Sequence, residues 1–443
     1  LPYGPWRFFH CARQKTKRMK LPRKLFTEPA GADVRHILIV NQHGENRGDE
    51  AALRAMVSGF EKELGNCRFT VIAQFRDPQL SIPFNEDVTF LNLRMPPVEF
   101  FRFLAFSLLG IVGIRAWWLL SRRTEKMVDA FGSADLVVSA PGGPYFGDLY
   151  ADHEIVHWYY VWLACRHRKK LFLYAPSAGP FRNRLLNPIR KWLFRKFDVI
   201  CVRETISQGL LQTFMGPDAV VHVTADSAIQ QIVPAAKRED YFTGARTPLR
   251  NKFVVAVSAI EYAFPGEPDP AASKDRYLDC LVSAIEFLAE EKECHFLLIP
   301  QLYGAYHTDV PFLETLSKLI PASASWEIVS SELDSNVQRS LFGMSDICIA
   351  SRYHPQIFAA TANVPGVCIY YEHKALGFMR ALNLEHFAFD IRRLEPEPLL
   401  RCLQEVVRDR DQLSATLSQR VPAVRELSAR TTQLAVELLN RPA

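Results

Sequence analysis

The run DICIASRYHPQIFAATANVPGVCIYYEHKALGFM (346–379) sets two short apolar segments, DICIA (346–350) and GVCIY (366–370), on either side of a stretch with helical spacing. Segments this short and this uniformly apolar read as strands buried on both faces of a parallel sheet, since a half-exposed strand would alternate. The first strand delivers Arg352 and His354 to its carboxyl end, where Pro355 starts a helix whose free N–H groups point to the same place. The second brings Glu372, His373 and Lys374 to the neighbouring strand end. An arginine fork, an imidazole, an ammonium and a helix dipole converging there favour an anionic ligand.

Outward from this run the pattern repeats. FVVAVS (253–258) and CHFLLIP (294–300) belong to the same unit; upstream of a Pro-, Lys- and Arg-rich break between Pro234 and Lys252 lie VRHILIV (34–40), FTVI (69–72), VTFLNL (88–93), LVVS (136–139), LFLY (171–174), VICV (199–202) and VVHV (220–223). The expectation is an α/β protein of two doubly wound Rossmann-like domains facing a cleft, with ligands at the carboxyl ends of the strands. The division expected is a basic N-terminal arm over 1–33, an N-terminal α/β domain over 34–232 that carries an apolar 100–120 segment, a C-terminal α/β domain over 252–390, and C-terminal helices over 391–443. In the last, Leu399, Leu403, Val406 and Val407, then Val424, Leu427, Leu434 and Leu438, have helical spacing and should pack back across the domain boundary. A chain of 443 residues, 48% hydrophobic and 23% charged, excludes disorder, collagen and a small disulfide scaffold.

Charge narrows the function classes. The 53 basic and 48 acidic side chains leave +5, too little for a nucleic-acid binder, and the excess sits at the start. From Arg7 to Lys24 there are eight Lys or Arg and no acid, which reads as a solvated tail or as a polybasic arm on anionic lipid anchored by Trp6, Phe8 and Phe9. The first apolar cluster is brief and followed by charge, so no secretory leader is read. Phe103 to Ile114 is free of charge and is followed by Trp117, Trp118, Arg122 and Arg123; too short to span a bilayer, it is either a buried core helix or a helix lying in the membrane interface. Nine cysteines without a CxxC pair read as buried thiols in a reducing cytosol.

Strand ends of the first domain add candidates. NQHGENRGDEAALRAM (41–56) places Asn46, Gly48 and Asp49 at a cleft mouth or, equally, in a plain turn and helix cap; it is no dinucleotide loop, because GENRG lacks GxGxxG. PGGPYFGD (141–148) carries Gly142 and Gly143, which let a ligand approach backbone N–H groups, and SAGPF (177–181) ends the next strand similarly. VRE (202–204) sets Arg203 at a strand end. His153-Glu154-Ile155-Val156-His157 matches the HExxH of zinc peptidases, but a parallel sheet is the wrong scaffold and no third ligand stands out.

Taken together, GENRGDEAAL, the glycine pair with Asp148 downstream, SAGPF, VRE with Ser207, TADSA (224–228), IPQLYGAYHTD (299–309) and above all the 346–379 run resemble the polysaccharide pyruvyltransferases, over about residues 35–390. The resemblance implies a GT-B-like fold and transfer of a pyruvyl group from phosphoenolpyruvate to a sugar of a cell-surface polysaccharide or its lipid-linked precursor, as a ketal. It implies that Arg203 and Arg352 hold the donor's phosphate and carboxylate, aided by Lys374, Gly142 and Gly143, and that His354 is the acid/base; Asn46, Asp49, Asp148 and Glu372 are acceptor-side candidates. Neighbouring arginines would bias His354 toward neutrality unless a carboxylate compensates, either Asp49 or Glu372. No metal or cofactor beyond the co-substrate is expected, and no nucleic acid; the partners are the sugar acceptor and an anionic membrane surface, with the chain cytoplasmic and peripheral on the inner face of the cell membrane. Pro144 departs from the family, where a third glycine is common. Two other functions fit the same fold: a glycosyltransferase using a nucleotide sugar, with Tyr370, Tyr371 and Glu372 as base and ribose contacts, and a non-catalytic membrane-associated assembly factor.

Overall fold

The computed structural model describes residues 34–74, 84, 87–92, 96–114, 116–143, 146–304 and 307–442, apart from the side chains at 111, 151–153 and 307. The expectations for the basic arm, Pro144 and the His153 side chain therefore lie outside the described residues.

Seven parallel strands form the first sheet: β1 (Arg35–His43), β2 (Cys67–Gln74), β3 (Val88–Asn92), β4 (Leu136–Ser139), β5 (Lys170–Leu173), β6 (Val199–Val202) and β7 (His222–Val223), in the order β3-β2-β1-β4-β5-β6-β7. Beyond it come β8 (Phe253–Ser258), β9 (Cys294–Leu298), a small antiparallel hairpin of β10 (Tyr303–Gly304) and β11 (His307–Thr308), then β12 (Ser325–Ile328), β13 (Ile347–Ala350), β14 (Gly366–Tyr370) and β15 (Ala388–Asp390). Apart from the hairpin, these make a second parallel sheet in the order β12-β9-β8-β13-β14-β15. Each sheet winds outward in both directions from a switch point, β1/β4 in the first and β8/β13 in the second, and the crevice outside the carboxyl ends at such a point is where a ligand fits. The expected two doubly wound sheets are present.

The central strands are buried end to end, which explains why their sequences do not alternate: β4, β6, β9 and β13 contain no exposed residue. Strand β1 runs three residues past its apolar part. Asn41 makes this possible by taking φ 63, tolerable for asparagine, and by donating from Nδ2 to Ser139 Oγ at 3.0 Å. Gln42 follows a register shift against β2.

Residues 34–443 form one unit, and the start of the helix Arg47–Leu64 joins its two sheets. Arg47 donates from its backbone N–H to Gln301 O at 2.9 Å and from Nη2 to Ser331 O at 2.7 Å. Glu50, fully buried, accepts from Arg47 at 2.7 Å, from Arg54 at 2.9 Å and from the Ser335 hydroxyl at 3.2 Å. The final helix, Arg410–Asn440, continues through Pro422 and lies on both halves. Its Leu417, Val421 and Val424 belong to the core of the second sheet, and its Leu434, Ala435, Leu438 and Leu439 to that of the first. Leu427, expected on the packed side, is 47% exposed.

The 100–120 segment is neither wholly buried nor free. It forms the helix Pro97–Ile111 and a turn at Trp117–Leu119, with Phe103 and Ser107 packed inward and much of the rest exposed. Among the described residues no helix is long and apolar enough to cross a membrane.

Candidate active site

The helix after β13 begins earlier than Pro355. Arg352 is its N-cap and Tyr353 its first residue, so His354 and Pro355 both sit in the first turn, where a missing proline N–H costs no hydrogen bond. Arg352 donates from Nη2 to Asp309 Oδ1 at 2.5 Å, while Asp309 Oδ2 accepts from the backbone N–H groups of Gln301 and Leu302 at 2.9 and 3.0 Å. Arg352 Nε is buried without a hydrogen-bond partner. At the next strand end Lys374 Nζ pairs with Glu372 Oε2 at 2.6 Å, and the Tyr150 hydroxyl donates to Glu372 Oε1. Burial works against the Lys374 charge, but Glu372 outweighs it and holds the ammonium above its ordinary pKa; Lys374 in turn keeps buried Glu372 below the usual carboxylate range.

These groups meet residues of the first sheet around one small cavity, with Asn46, Asp49 and Gly143 on one wall and Arg352, His354 and Lys374 on the other. Asn46 follows β1 and Gly143 follows β4, so this wall is the switch point of the first sheet; the opposite wall is that of the second. Asn46 also caps its helix, its Oδ1 accepting from Gly48 N at 2.8 Å. Gly48 permits the closure. A β-carbon there would lie 1.9 Å from His354 Nδ1, so only glycine lets the imidazole of one domain rest on the helix start of the other.

His354 is buried, and its Nε2 has no hydrogen-bond partner. Desolvation lowers its pKa to about 3, and the positive charges of Arg203, Lys374 and Arg339 act in the same direction against the opposing pull of Asp226. The imidazole is therefore neutral at physiological pH. The closest carboxylate is Asp226, with Oδ2 3.8 Å from His354 Nε2, rather than Asp49 or Glu372. Asp49 has the converse setting: desolvation raises its carboxyl to about 6 although Lys374, Arg203 and Arg352 pull it down. It is the pocket group that changes charge nearest neutrality.

Arg203 stands behind this surface. Its Nε donates to Ser177 Oγ at 2.9 Å, its Nη1 to Asp226 Oδ2 at 2.5 Å, and its guanidinium lies 4.5 Å from the centre of the ring of Tyr353, a residue of the cavity lining to which Arg203 itself does not belong. Burial pushes Asp226 up, yet Arg203 and His354 hold it below its ordinary value, so a buried charge pair braces the imidazole. Sequence reasoning named Arg203 and Arg352 without their carboxylates: Asp226 and Asp309 lie 23 and 43 residues from their arginines, a pairing visible only once the strands are assembled. Tyr353, between Arg352 and His354, was equally unassigned.

Three other candidates lie apart from the cavity lining. Gly142 accepts through its carbonyl from Ser177 N at 3.3 Å, holding two strand ends together. Asp148 pairs with Arg190 at 2.6 Å and caps the backbone at Arg182 and Asn183. The same Arg190 also takes both oxygens of Glu154, at 2.9 and 2.7 Å, so the glutamate of the HExxH run is committed to a buried ion pair instead of a water. His157 sits with its Nε2 3.2 Å from that of His43. Among the described residues no group of three or more His, Cys, Asp and Glu is placed to hold a metal ion.

A family model described as polysaccharide pyruvyl transferase matches residues 46–373, from the Asn46 cap to His373, one residue short of Lys374. The chain belongs to this family. An amylovoran biosynthesis protein, AmsJ of Erwinia amylovora, is 21% identical over 429 residues, covering 89% of this chain and 98% of that one. Among solved structures, HepE of Anabaena in complex with UDP-glucose superposes with a TM-score of 0.54 at 15% identity, covering 91% of this chain and 98% of that one. MnaA of S. aureus with UDP gives 0.53 at 12% identity, covering 87% and 91%. At such identity the likeness carries the fold alone, which is GT-B-like. Family and relative together make this pyruvyltransferase-family chain a transferase of polysaccharide synthesis, and the cavity between its switch points is where its site must be sought.

Proposed function

We propose that the chain transfers the pyruvyl group of phosphoenolpyruvate onto two hydroxyls of a sugar, in a cell-surface polysaccharide or its lipid-linked precursor, and that it works on the cytoplasmic face of the cell membrane. The observation that carries the reading is a cavity in which Arg352, His354 and Lys374 face Asp49. Phosphoenolpyruvate carries a phosphate and a carboxylate next to the reacting carbon, and a guanidinium with an ammonium is a match for that charge without a metal. Arg352, with Nε available and Nη2 braced by Asp309, binds one anion; Lys374 neutralises the other. Arg203 acts from behind, fixing Asp226 and through it the imidazole.

The proton inventory suits ketal formation. The methylene carbon gains one proton while C2 becomes electrophilic; the first sugar hydroxyl adds to C2 and loses its proton, phosphate departs, and the second hydroxyl closes the ring and loses its own. Of the two hydroxyl protons, one balances the new methyl group and one leaves with phosphate. His354, with Nε2 unpartnered and Asp226 3.8 Å away to stabilise the imidazolium against burial, is the acceptor for a hydroxyl proton, and Asp49, with its carboxyl held near 6, carries the proton that reaches the methylene. A nucleotide-sugar transferase would need Glu372 open to ribose hydroxyls, whereas here it is taken by Lys374 and Tyr150.

The test pairs binding with product. Phosphoenolpyruvate should raise the melting temperature of the purified chain where UDP-sugars do not, and glycans from cells carrying the protein should show the added mass of a pyruvate ketal that His354→Gln removes. Stabilisation by a UDP-sugar alone would overturn the reading.

A further inference from the structure

The helix Pro97–Ile111 is apolar on two sides, and its fold uses only one. Phe103 and Ser107 face inward, the Ser107 hydroxyl lying 2.8 Å from that of Tyr159. Val98, Phe101, Leu108 and Val112 recur at helical spacing on the outside, Phe101 64% and Val112 71% exposed. The surface continues into the turn Trp117–Leu119: Trp117 rests on Phe106 with ring centroids 5.2 Å apart, and Trp118 is 69% exposed. Such a patch on a globular protein marks an interaction site.

Its surroundings say what kind. Arg102 Nη2 donates to Trp118 O at 3.0 Å and Arg166 Nη2 to Gly110 O at 2.8 Å, so both guanidiniums border the apolar stripe. Directly after the tryptophans the helix Arg122–Ser133 opens with Arg122, Arg123 and Lys126, which with Phe90, Leu91 and Asn92 line an open basin of about 800 Å³ at the carboxyl end of β3. Among the described residues of these two helices, the acids beside these five bases are Glu99, which accepts from the Ser121 hydroxyl, and Glu125 and Asp129 of the second helix. An apolar stripe flanked by indoles and rimmed by arginines is complementary to the boundary between acyl chains and anionic headgroups. The basin also has a position relative to the cavity. The helix Arg122–Ser133 leads into β4, so its N-terminus lies on the same rim of the first sheet as Asn46 and Gly143, and β3 is two strands, about 10 Å, from β1.

We propose that this face docks on an anionic phospholipid bilayer, the stripe and tryptophans lying in the headgroup boundary while Arg122, Arg123 and Lys126 hold lipid phosphates. The inference rests on the peripheral location proposed above and not on the donor chemistry. It turns the carboxyl rim of the acceptor-side sheet toward the membrane, where a lipid-carried sugar would be presented.

The experiment is flotation of the full chain with vesicles of phosphatidylcholine alone or with about 30% phosphatidylglycerol, at low and high salt. Two variants accompany it: the exposed apolar set Phe101→Gln, Leu108→Gln, Trp118→Gln, and the basin set Arg122→Gln, Arg123→Gln, Lys126→Gln. The parent should float with anionic vesicles, high salt should weaken binding without ending it, and each variant should lose on the order of tenfold or more. A parent that stays out of anionic vesicles, or either variant partitioning like the parent, overturns the proposal. So does a dimer in ultracentrifugation that the apolar variant dissociates, because the face would then belong to a second copy. A phosphoenolpyruvate-induced melting shift retained in both variants shows that they fold and separates failure here from failure of the donor reading.

Discussion

Arg352 is asked to do two things with one side chain: Nη2 holds Asp309 and Nε is left for a ligand. Lysine has a single charged centre and cannot span both, so Arg352→Lys should weaken phosphoenolpyruvate binding by about 1.5–3 kcal/mol although the charge is kept; unchanged affinity by calorimetry would remove Arg352 from donor binding. For Asp49 the argument runs through pH. Its carboxyl titrates near 3.8 in the unfolded chain and at about 6 in the folded one, so ionising it in place costs stability above pH 6 and nothing below pH 4. Asp49→Asn lacks that cost and should gain on the parent by up to roughly 3 kcal/mol between pH 4 and pH 7. His354, whose depressed pKa costs stability at low pH, is common to both proteins and cancels in the difference. Melting curves that keep a constant separation across this range would contradict the buried setting of Asp49. What the sequence showed at this scale were the cations. Arg352, His354 and Lys374 stand within one quoted run, as does Glu372, the partner of Lys374, whereas the carboxylates beside Arg352 and His354, Asp309 and Asp226, come from other strand ends and acquire meaning only through distance in space.

At the scale of elements, the decisive junction is the N-terminus of the helix Arg47–Leu64 against that of Tyr353–Thr361, with Gly48 in contact with the His354 ring. An alanine methyl at 48 must displace the imidazole or part the domains. Gly48→Ala should therefore lower stability by about 1–3 kcal/mol, as overpacking does, and cut turnover as severely as removing His354. Combined with His354→Ala, which empties the space, the stability loss should fall well short of the sum of the two single losses; strict additivity in thermal unfolding would show that the two residues do not press on each other. The buried strands were legible because apolar runs such as LVVS, VICV and FVVAVS match observed strands residue for residue. Edges were harder. Ser325–Ile328 and Ala388–Asp390 pair on one side only and keep mixed, partly exposed side chains, so they lack the apolar signature, and VVHV shrinks to His222–Val223 with Val220 73% exposed. The polar tail of β1 was unreadable for another reason: Asn41, Gln42 and His43 continue the ladder by way of a positive φ and a register shift, neither of which periodicity encodes.

For the whole molecule, a cavity walled by two sheets is only as well defined as the link between them, and the helix Arg410–Asn440 supplies much of that link because its two ends sit in different cores. Leu417 packs with the second sheet and Leu434 with the first, each nearly devoid of exposure. Truncating either to alanine leaves a cavity and should cost about 2–5 kcal/mol. The informative outcome is the shape of unfolding rather than its midpoint. If the helix, together with the Glu50 cluster, couples the two sheets, Leu417→Ala and Leu434→Ala should each shift one common calorimetric transition to lower temperature, and saturating phosphoenolpyruvate should shift that same transition upward, by about 2.7 kcal/mol of binding linkage at a hundredfold excess over Kd. Two resolved transitions, with Leu434→Ala moving one and Leu417→Ala the other, would mean that the sheets melt independently and that the donor pocket closes by domain movement instead of being standing architecture.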